Sequence, residues 1–390
     1  MRVALFTDTY VPAVNGVAKT LGRWVEYLEA NNVPVKVFAP SAEPGGAEEG
    51  SGGVERVFGI PFFLYPECRM ALPNPAYLRK ALHDFRPDLI HVATPLNLGL
   101  YGNLYARKHG IPLVASYHTN FDQYAASYKL SWMVPMLDRY MAWFHEECRK
   151  VYVPSRSTKE HLRRLGIPNV ELWGRGIRSD QFHPGVDRSR VLTAHGVDPR
   201  KFVVLYVGRL APEKSLDVLM GAFAAVPEPL RRKMQLIIAG DGPLYKELAA
   251  TAELHDNVKL PGFVHGERLR ELYASADVFM FPSATETFGN VVLEALACGT
   301  PVIGAAAGGV GDNLVHGRTG LLCEAGNVRA FTNALVRIYQ DASLRARLSA
   351  AGRQHAHSQS WERIFAELLT SYRAVSGEAI EEESQAALIG

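Results

Sequence analysis

Short runs of apolar and β-branched residues recur along the chain, separated by stretches with helical spacing. In the first half the runs are VALFT (3–7), VKVFA (35–39), LIHVA (89–93), PLVASYH (112–118) and KVYVPS (150–155). Helical periodicity occupies 17–31, 74–86, 97–109, 131–149 and 156–165. The second half repeats the plan with FVVLYVG (202–208), MQLIIAG (234–240), VFMFPS (278–283) and PVIGAAA (301–307). Runs that are apolar throughout belong to strands covered on both faces, so the pattern predicts parallel sheets built from βαβ units. Two successive alternations predict an α/β protein of two Rossmann-like domains. Strand periodicity stops in GIRSDQFHPGVDRSR (176–190), which places the domains at 1–177 and 178–359. A last helix, 360–376, carries the apolar stripe Trp361, Ile364, Phe365, Leu368 and Leu369 and must pack on something. The acidic tail 377–390 and EPGGAEEGSGG (43–53) read as frayed or looped surface chain.

A chain of 390 residues is long enough for two separate cores. Its 42 Lys and Arg against 40 Asp and Glu leave a formal charge of +2, which gives no reason to expect nucleic acid as partner. Cys68, Cys148, Cys298 and Cys323 form no CxxC pair, so a reduced, cytoplasmic setting is expected. No run reaches the ~18 apolar residues that span a bilayer. Any membrane contact is therefore expected to be peripheral, at the inner face.

In open parallel sheets ligands sit beyond the carboxyl ends of the strands. VGRLAPEKS (207–215) follows one such strand and misses a P-loop by one position, Glu213 standing where the second glycine belongs. A glutamate there would bring a Cβ and a like charge towards a phosphate. The alternative is a clamp in which Arg209 and Lys214 hold the anion as side chains, although both residues are also compatible with a plain exposed helix start. SATETFGNVVLEALACG follows another strand, and there Phe288, Gly289 and Asn290 open a helix whose free N–H groups suit a diphosphate. Glu286 and Glu294 flank that helix start and offer carboxylates for vicinal sugar or ribose hydroxyls. Gly16, in DTYVPAVNGVAKT, allows backbone to approach a ligand from an opposite wall. His118 ends a strand in SYHTNF; a lone histidine is more often structural, but a strand's carboxyl end facing a cleft is where a functional one belongs. Neither H-E-x-x-H nor G-x-S-x-G occurs, so metal and serine hydrolysis have no support. The lack of G-x-G-x-x-G disfavours a nicotinamide enzyme.

Together FTDTYVPAVNGVAK, HTNF, PSRSTKEHL, VGRLAPEKSLDVLM, AGDGP and LYASADVFMFPSATETFGNVVLEALACGTPVI resemble the retaining glycosyltransferases of the large E-x7-E family, family four type, similar to bacterial mannosyl- and glucosyltransferases. The resemblance implies the GT-B fold, two Rossmann-like domains facing a central cleft with the C-terminal helix crossing back to the first. It implies a nucleotide-diphosphate sugar as co-substrate, GDP-mannose or a UDP-sugar, held by the second domain, and a lipid or glycan acceptor on the first. Arg209 and Lys214 would hold the diphosphate. Glu294 would bind ribose, Glu286 with Phe288, Gly289 and Asn290 the transferred sugar and its phosphate, Gly16 the diphosphate, and His118 the sugar near the reacting carbon. No metal and no further cofactor is expected, and retention would follow from front-face attack. Ser215 departs from the glycine frequent after the lysine. Tyr117, Phe121, Tyr124, Tyr128 and Trp132 fall outside the core stripe of helix 131–149 and suit either an acceptor groove or plain packing. A sugar-nucleotide epimerase of the same plan and a non-catalytic nucleotide-sugar binder remain the competing readings.

Overall fold

The computed structural model describes residues 1–13, 15–41, 49–50, 53–62, 65–120, 130–253 and 255–377. The first sheet contains β1 (Val3–Phe6), β2 (Val35–Ser41), β3 (Glu49–Gly50), β4 (Val54–Phe62), β5 (Tyr65–Ala71), β6 (Leu89–Val92), β7 (Leu113–Ser116), β8 (Lys150–Val153) and β9 (Val170–Leu172). Its order is β3-β4-β2-β1-β6-β7-β8-β9, with β5 paired to β4. The second holds β10 (Phe202–Val207), β11 (Met234–Ala239), β12 (Val258–Gly262), β13 (Val278–Phe281), β14 (Val302–Ala305) and β15 (Gly320–Cys323), in the order β12-β11-β10-β13-β14-β15. Every pairing in the second sheet is parallel. In the first, only β3 and β5 run antiparallel to β4.

Burial on both faces explains the continuous apolar runs. Val3 and Leu5 point into one core, with Leu21 and Trp24, while Ala4 and Phe6 point into another, with Phe38, Ile90 and Val92. The helix Trp361–Ser376 buries Trp361, Ile364, Phe365, Leu368, Leu369, Tyr372 and Val375. These residues pack in the first domain's core, where Trp24 meets Phe365 at 5.3 Å and Tyr372 edge-on at 5.2 Å between ring centroids. Each such side chain removed from water contributes roughly 1.5–3 kcal/mol. The last helix thus belongs with a sheet almost 200 positions earlier.

Three features depart from the periodicity analysis. Glu49–Gly50 pairs with Val54–Glu55 as a short antiparallel strand inside the stretch expected to be loop. Strands β4 and β5 form a hairpin with no helix between them, so the alternation of strand and helix carries no trace of it. Short edge strands β9, β12 and β15 were also not anticipated, because edge strands alternate polar and apolar or hold only a few residues. The tail 378–390, most of 43–53, and Phe121, Tyr124 and Tyr128 lie outside the described residues.

Candidate active site

Strand order in the second sheet reverses between β10 and β13, whose carboxyl ends form the crevice where α/β sheets place ligands. The segment after β10 closes in a 3-10 turn, Pro212–Lys214, and the segment after β13 runs from Ser283 to Gly289. The hydroxyls of Ser283 and Thr285 both donate to the Glu213 carbonyl, at 3.4 and 3.0 Å, and hold the two segments together. The Glu213 side chain is turned fully inward and pairs with Arg209 at 3.5 Å. It therefore does not crowd an anion, contrary to the concern raised by its position in the P-loop pattern. Lys214 Nζ reaches Glu286 Oε1 at 2.5 Å.

Gly289, at φ +84, makes the left-handed step into the helix Asn290–Ala297, and no side chain caps that end. Its first N–H groups and positive dipole end face the crevice with Lys214 beside them. Two glycines behind the loop bring it close to the next helix. Gly309 N donates to Glu286 O at 2.7 Å, and Asn313 Nδ2 donates to Phe288 O at 2.5 Å. A Cβ on Gly309 would lie 2.3 Å from Phe288 Cα.

The first domain supplies the opposite wall of a cleft of about 150 Å³, lined by Gly16, His118, Arg175, Lys214, Glu286, Phe288, Gly289 and Asn290 among others. A Cβ on Gly16 would stand 3.0 Å from Asn290 Nδ2, so the two walls come close together here. The walls are joined by Thr287 Oγ1, which donates to the His118 carbonyl at 2.8 Å, and by Asp312 Oδ2, which accepts from Ser157 N at 2.8 Å and from Ser157 Oγ at 3.1 Å. His118 is buried, and both its ring nitrogens are used internally, Nδ1 by Arg175 Nη2 at 2.7 Å and Nε2 by Ser116 Oγ at 2.8 Å. Burial, with the Arg175 charge and His91 nearby, holds its pKa well below the ordinary histidine value. The ring is neutral, and neither nitrogen is available to take a substrate proton.

Seven of the nine residues singled out in the sequence line this cleft. Arg209 is not among the lining residues; its guanidinium pairs with the inward Glu213 at 3.5 Å. Glu294 sits one turn along the helix, outside the cleft lining, its Oε2 accepting from the Tyr273 hydroxyl at 3.1 Å. Burial raises its pKa, against the Tyr273 bond and the charges of Lys19 and Arg23 on the first domain's helix Gly16–Ala30. Sequence reasoning missed Arg175, which follows β9, a three-residue strand that the periodicity does not mark. Its Nη1 donates to the Trp173 and Gly174 carbonyls and its guanidinium stacks 4.9 Å from the Trp173 ring. Burial lowers it only to about 9, so it stays charged at neutral pH.

Comparison with known proteins decides what this architecture belongs to. Residues 14–181 match the family model described as Glycosyltransferase Family 4, and residues 187–355 the one described as Glycosyl transferases group 1. Over 387 residues the chain is 36% identical to a GDP-mannose-dependent alpha-mannosyltransferase of Mycobacterium tuberculosis, covering 97% of each. The chain belongs to glycosyltransferase family 4. This glycosyltransferase is also 29% identical, over 78% of its length and 70% of the relative's, to alpha-monoglucosyldiacylglycerol synthase of Streptococcus pneumoniae. A sucrose-phosphate synthase from Thermosynechococcus elongatus superposes with a TM-score of 0.81 at 23% identity, covering 97% of this chain and 100% of that one, and shares the GT-B fold. Among the described residues of the glycosyltransferase, no helix is long and apolar enough to cross a membrane.

The departure at Ser215 has a measurable cost. Ser215 takes φ +54, the left-handed region in which a side chain costs ~1–2 kcal/mol. Ser215→Gly is expected to raise the melting temperature by about 2 °C, read by scanning calorimetry; a lower melting temperature would show the serine hydroxyl to be holding the turn.

Proposed function

We propose that this glycosyltransferase moves a hexosyl unit, with mannose as the leading choice, from a nucleotide-diphosphate sugar to a hydroxyl of a lipid-linked or glycan acceptor, with retention and without a metal. The observation that carries the reading is the uncapped start of the Asn290–Ala297 helix beside Lys214, in a cleft walled by both domains. Those N–H groups and that ammonium suit the charge that develops on a leaving diphosphate. Glu286 would hold sugar hydroxyls, and Glu294, its Oε2 anchored by Tyr273, would present Oε1 to the ribose. Because both nitrogens of His118 are engaged, that residue would shape the sugar pocket rather than accept a proton, and the leaving phosphate oxygen would take the acceptor's proton on the same face.

The donor reading leans on the name of the Mycobacterium tuberculosis relative, and the lipid acceptor on that of the Streptococcus pneumoniae relative. The donor would rest on residues 178–359 and the acceptor on 1–177. Trp132, Met136 and Trp143 stand 75%, 56% and 40% exposed on and beside the helix Val134–His145 of the first domain, an apolar surface suited to a peripheral lipid contact.

Thermal stabilisation tests the donor. A nucleotide at ~100 times its Kd adds about 2.7 kcal/mol to the stability of the domain that binds it. GDP is expected to raise the melting temperature by several degrees, with EDTA present, and UDP or ADP to do so less. A melt unmoved by any nucleoside diphosphate would remove the donor assignment, and a larger shift with UDP would move the assignment to UDP-sugars.

A further inference from the structure

We propose that Tyr372, on the crossover helix, is a positioning residue for sugar transfer, acting through His91 and Ser116 to fix the ring of His118 in the wall of the donor cleft. The inference rests on the transferase reading of that cleft. It follows from an unbroken file of buried polar groups that leads from the cleft through the first sheet to the last helix. Arg175 Nη2 meets His118 Nδ1 at 2.7 Å, His118 Nε2 meets Ser116 Oγ at 2.8 Å, Ser116 Oγ meets His91 Nε2 at 2.9 Å, and His91 Nδ1 meets Tyr372 Oη at 2.5 Å. Trp24 Nε1 donates to the same Tyr372 oxygen at 3.2 Å. His91, Trp24 and Tyr372 have no exposure, and Ser116 has 2%.

Chemistry orders the protons at the cleft end. Arginine has donors only, so Nδ1 of His118 must accept and the ring proton must sit on Nε2, from which it is donated to Ser116. Both imidazoles are neutral: burial alone holds His91 at about 3, and His118 is pushed down as well. A neutral ring with both nitrogens bonded has one orientation and one tautomer, which is what a rigid wall against a sugar requires. His91 needs a partner at each nitrogen; Ser116 Oγ serves Nε2, and Tyr372 Oη serves Nδ1. Helix packing by itself does not call for this hydroxyl, because phenylalanine would fill the same space between Trp24 and His91.

Ser371, the neighbouring hydroxyl on the same helix, provides the control. It ties the helix to the sheet through Tyr152 Oη at 2.8 Å and Lys150 Nζ at 3.0 Å, outside the file. The experiment compares Tyr372→Phe, Ser116→Ala, their double variant and Ser371→Ala, measuring kcat and donor KM well below each melting temperature. Each of the first two is expected to lower kcat about three- to tenfold with donor KM nearly unchanged. The double variant is expected to be no slower than the slower single, because one break already interrupts the file. Ser371→Ala is expected to leave kcat unchanged. Multiplicative losses in the double variant, an unchanged kcat in Tyr372→Phe, or an equal loss in Ser371→Ala would each overturn the proposal. Nitrogen-15 NMR of labelled histidine gives a readout that needs no turnover: the His118 Nε2–H resonance should shift or broaden in Tyr372→Phe, and a resonance identical to that of the parent protein would refute the coupling. If the parent protein transfers no sugar at all, the donor reading fails, and the NMR result still decides whether the file acts on His118.

Discussion

Lys214→Met is expected to lower kcat by about 10²- to 10³-fold, the loss seen when one preorganised donor to a developing oxyanion is removed. Methionine keeps most of the length and apolar stem of the side chain and deletes only the charge. The effect should exceed that of losing an exposed cation, because the Lys214 side chain is 11% exposed and Glu286 stands 2.5 Å from its ammonium. Without the ammonium, the Glu286 carboxylate would face an incoming diphosphate uncompensated, and the variant would replace an attraction by a repulsion. Donor KM should therefore rise along with the fall in kcat. Steady-state kinetics with a radiolabelled nucleotide sugar measures both, and a variant within threefold of the parent protein in kcat would show that the charge is not met by the leaving group. Arg209→Met offers the informative comparison. Its guanidinium pairs with the inward Glu213 and lies outside the cleft lining, so a smaller loss than that of Lys214→Met is the natural outcome.

The second large effect concerns a residue with no side chain. Gly309→Ala is expected to reduce kcat/KM by about 100-fold or more, from the cost of displacing a binding loop by the order of 1 Å. An added Cβ would come within 2.3 Å of Phe288 Cα, 2.5 Å of Phe288 N and 2.6 Å of Thr287 O, all backbone atoms that no rotamer change relieves. The loop from Glu286 to Gly289 would have to retreat, and the N–H groups at the start of the Asn290–Ala297 helix would move with it. Gly311→Ala, two residues on, meets its nearest atom at 3.4 Å and should be tolerated. Calorimetric titration with a nucleoside diphosphate reads the displacement without turnover. Equal affinities for the two variants would mean that the loop adapts without loss of the anion site.

Much of this site was legible because strand ends are legible. Apolar runs marked β10 and β13, and the residues that follow them, Lys214 and Glu286 to Asn290, are those that meet in the cleft. Gly16 and His118 were found in the same way in the other domain. What escaped was the direction of side chains within a segment. Glu213 and Arg209 stand four positions apart in a turn, and nothing in their spacing says that the carboxylate turns inward and draws the guanidinium with it. Gly308 and Gly309 carry no local signal, since a glycine kept small by a neighbour about 20 positions earlier resembles any other. Arg175 met the strand-end criterion only once β9 was known, and β9 is three residues long.

By itself the sequence determined the two-sheet plan, the apolar face of the last helix and which residues follow the two strand ends that meet at the cleft, because these depend on periodicity and on residues close in the chain. Only the tertiary structure decided that the last helix lies on the first sheet, that Gly16 stands against Asn290, and that Tyr372, His91, Ser116, His118 and Arg175 form one file. Those contacts join residues tens to hundreds of positions apart. Local propensity does not encode such pairings; they arise when two sheets and a returning helix bury their apolar faces together and leave the enclosed polar groups to find partners in one another.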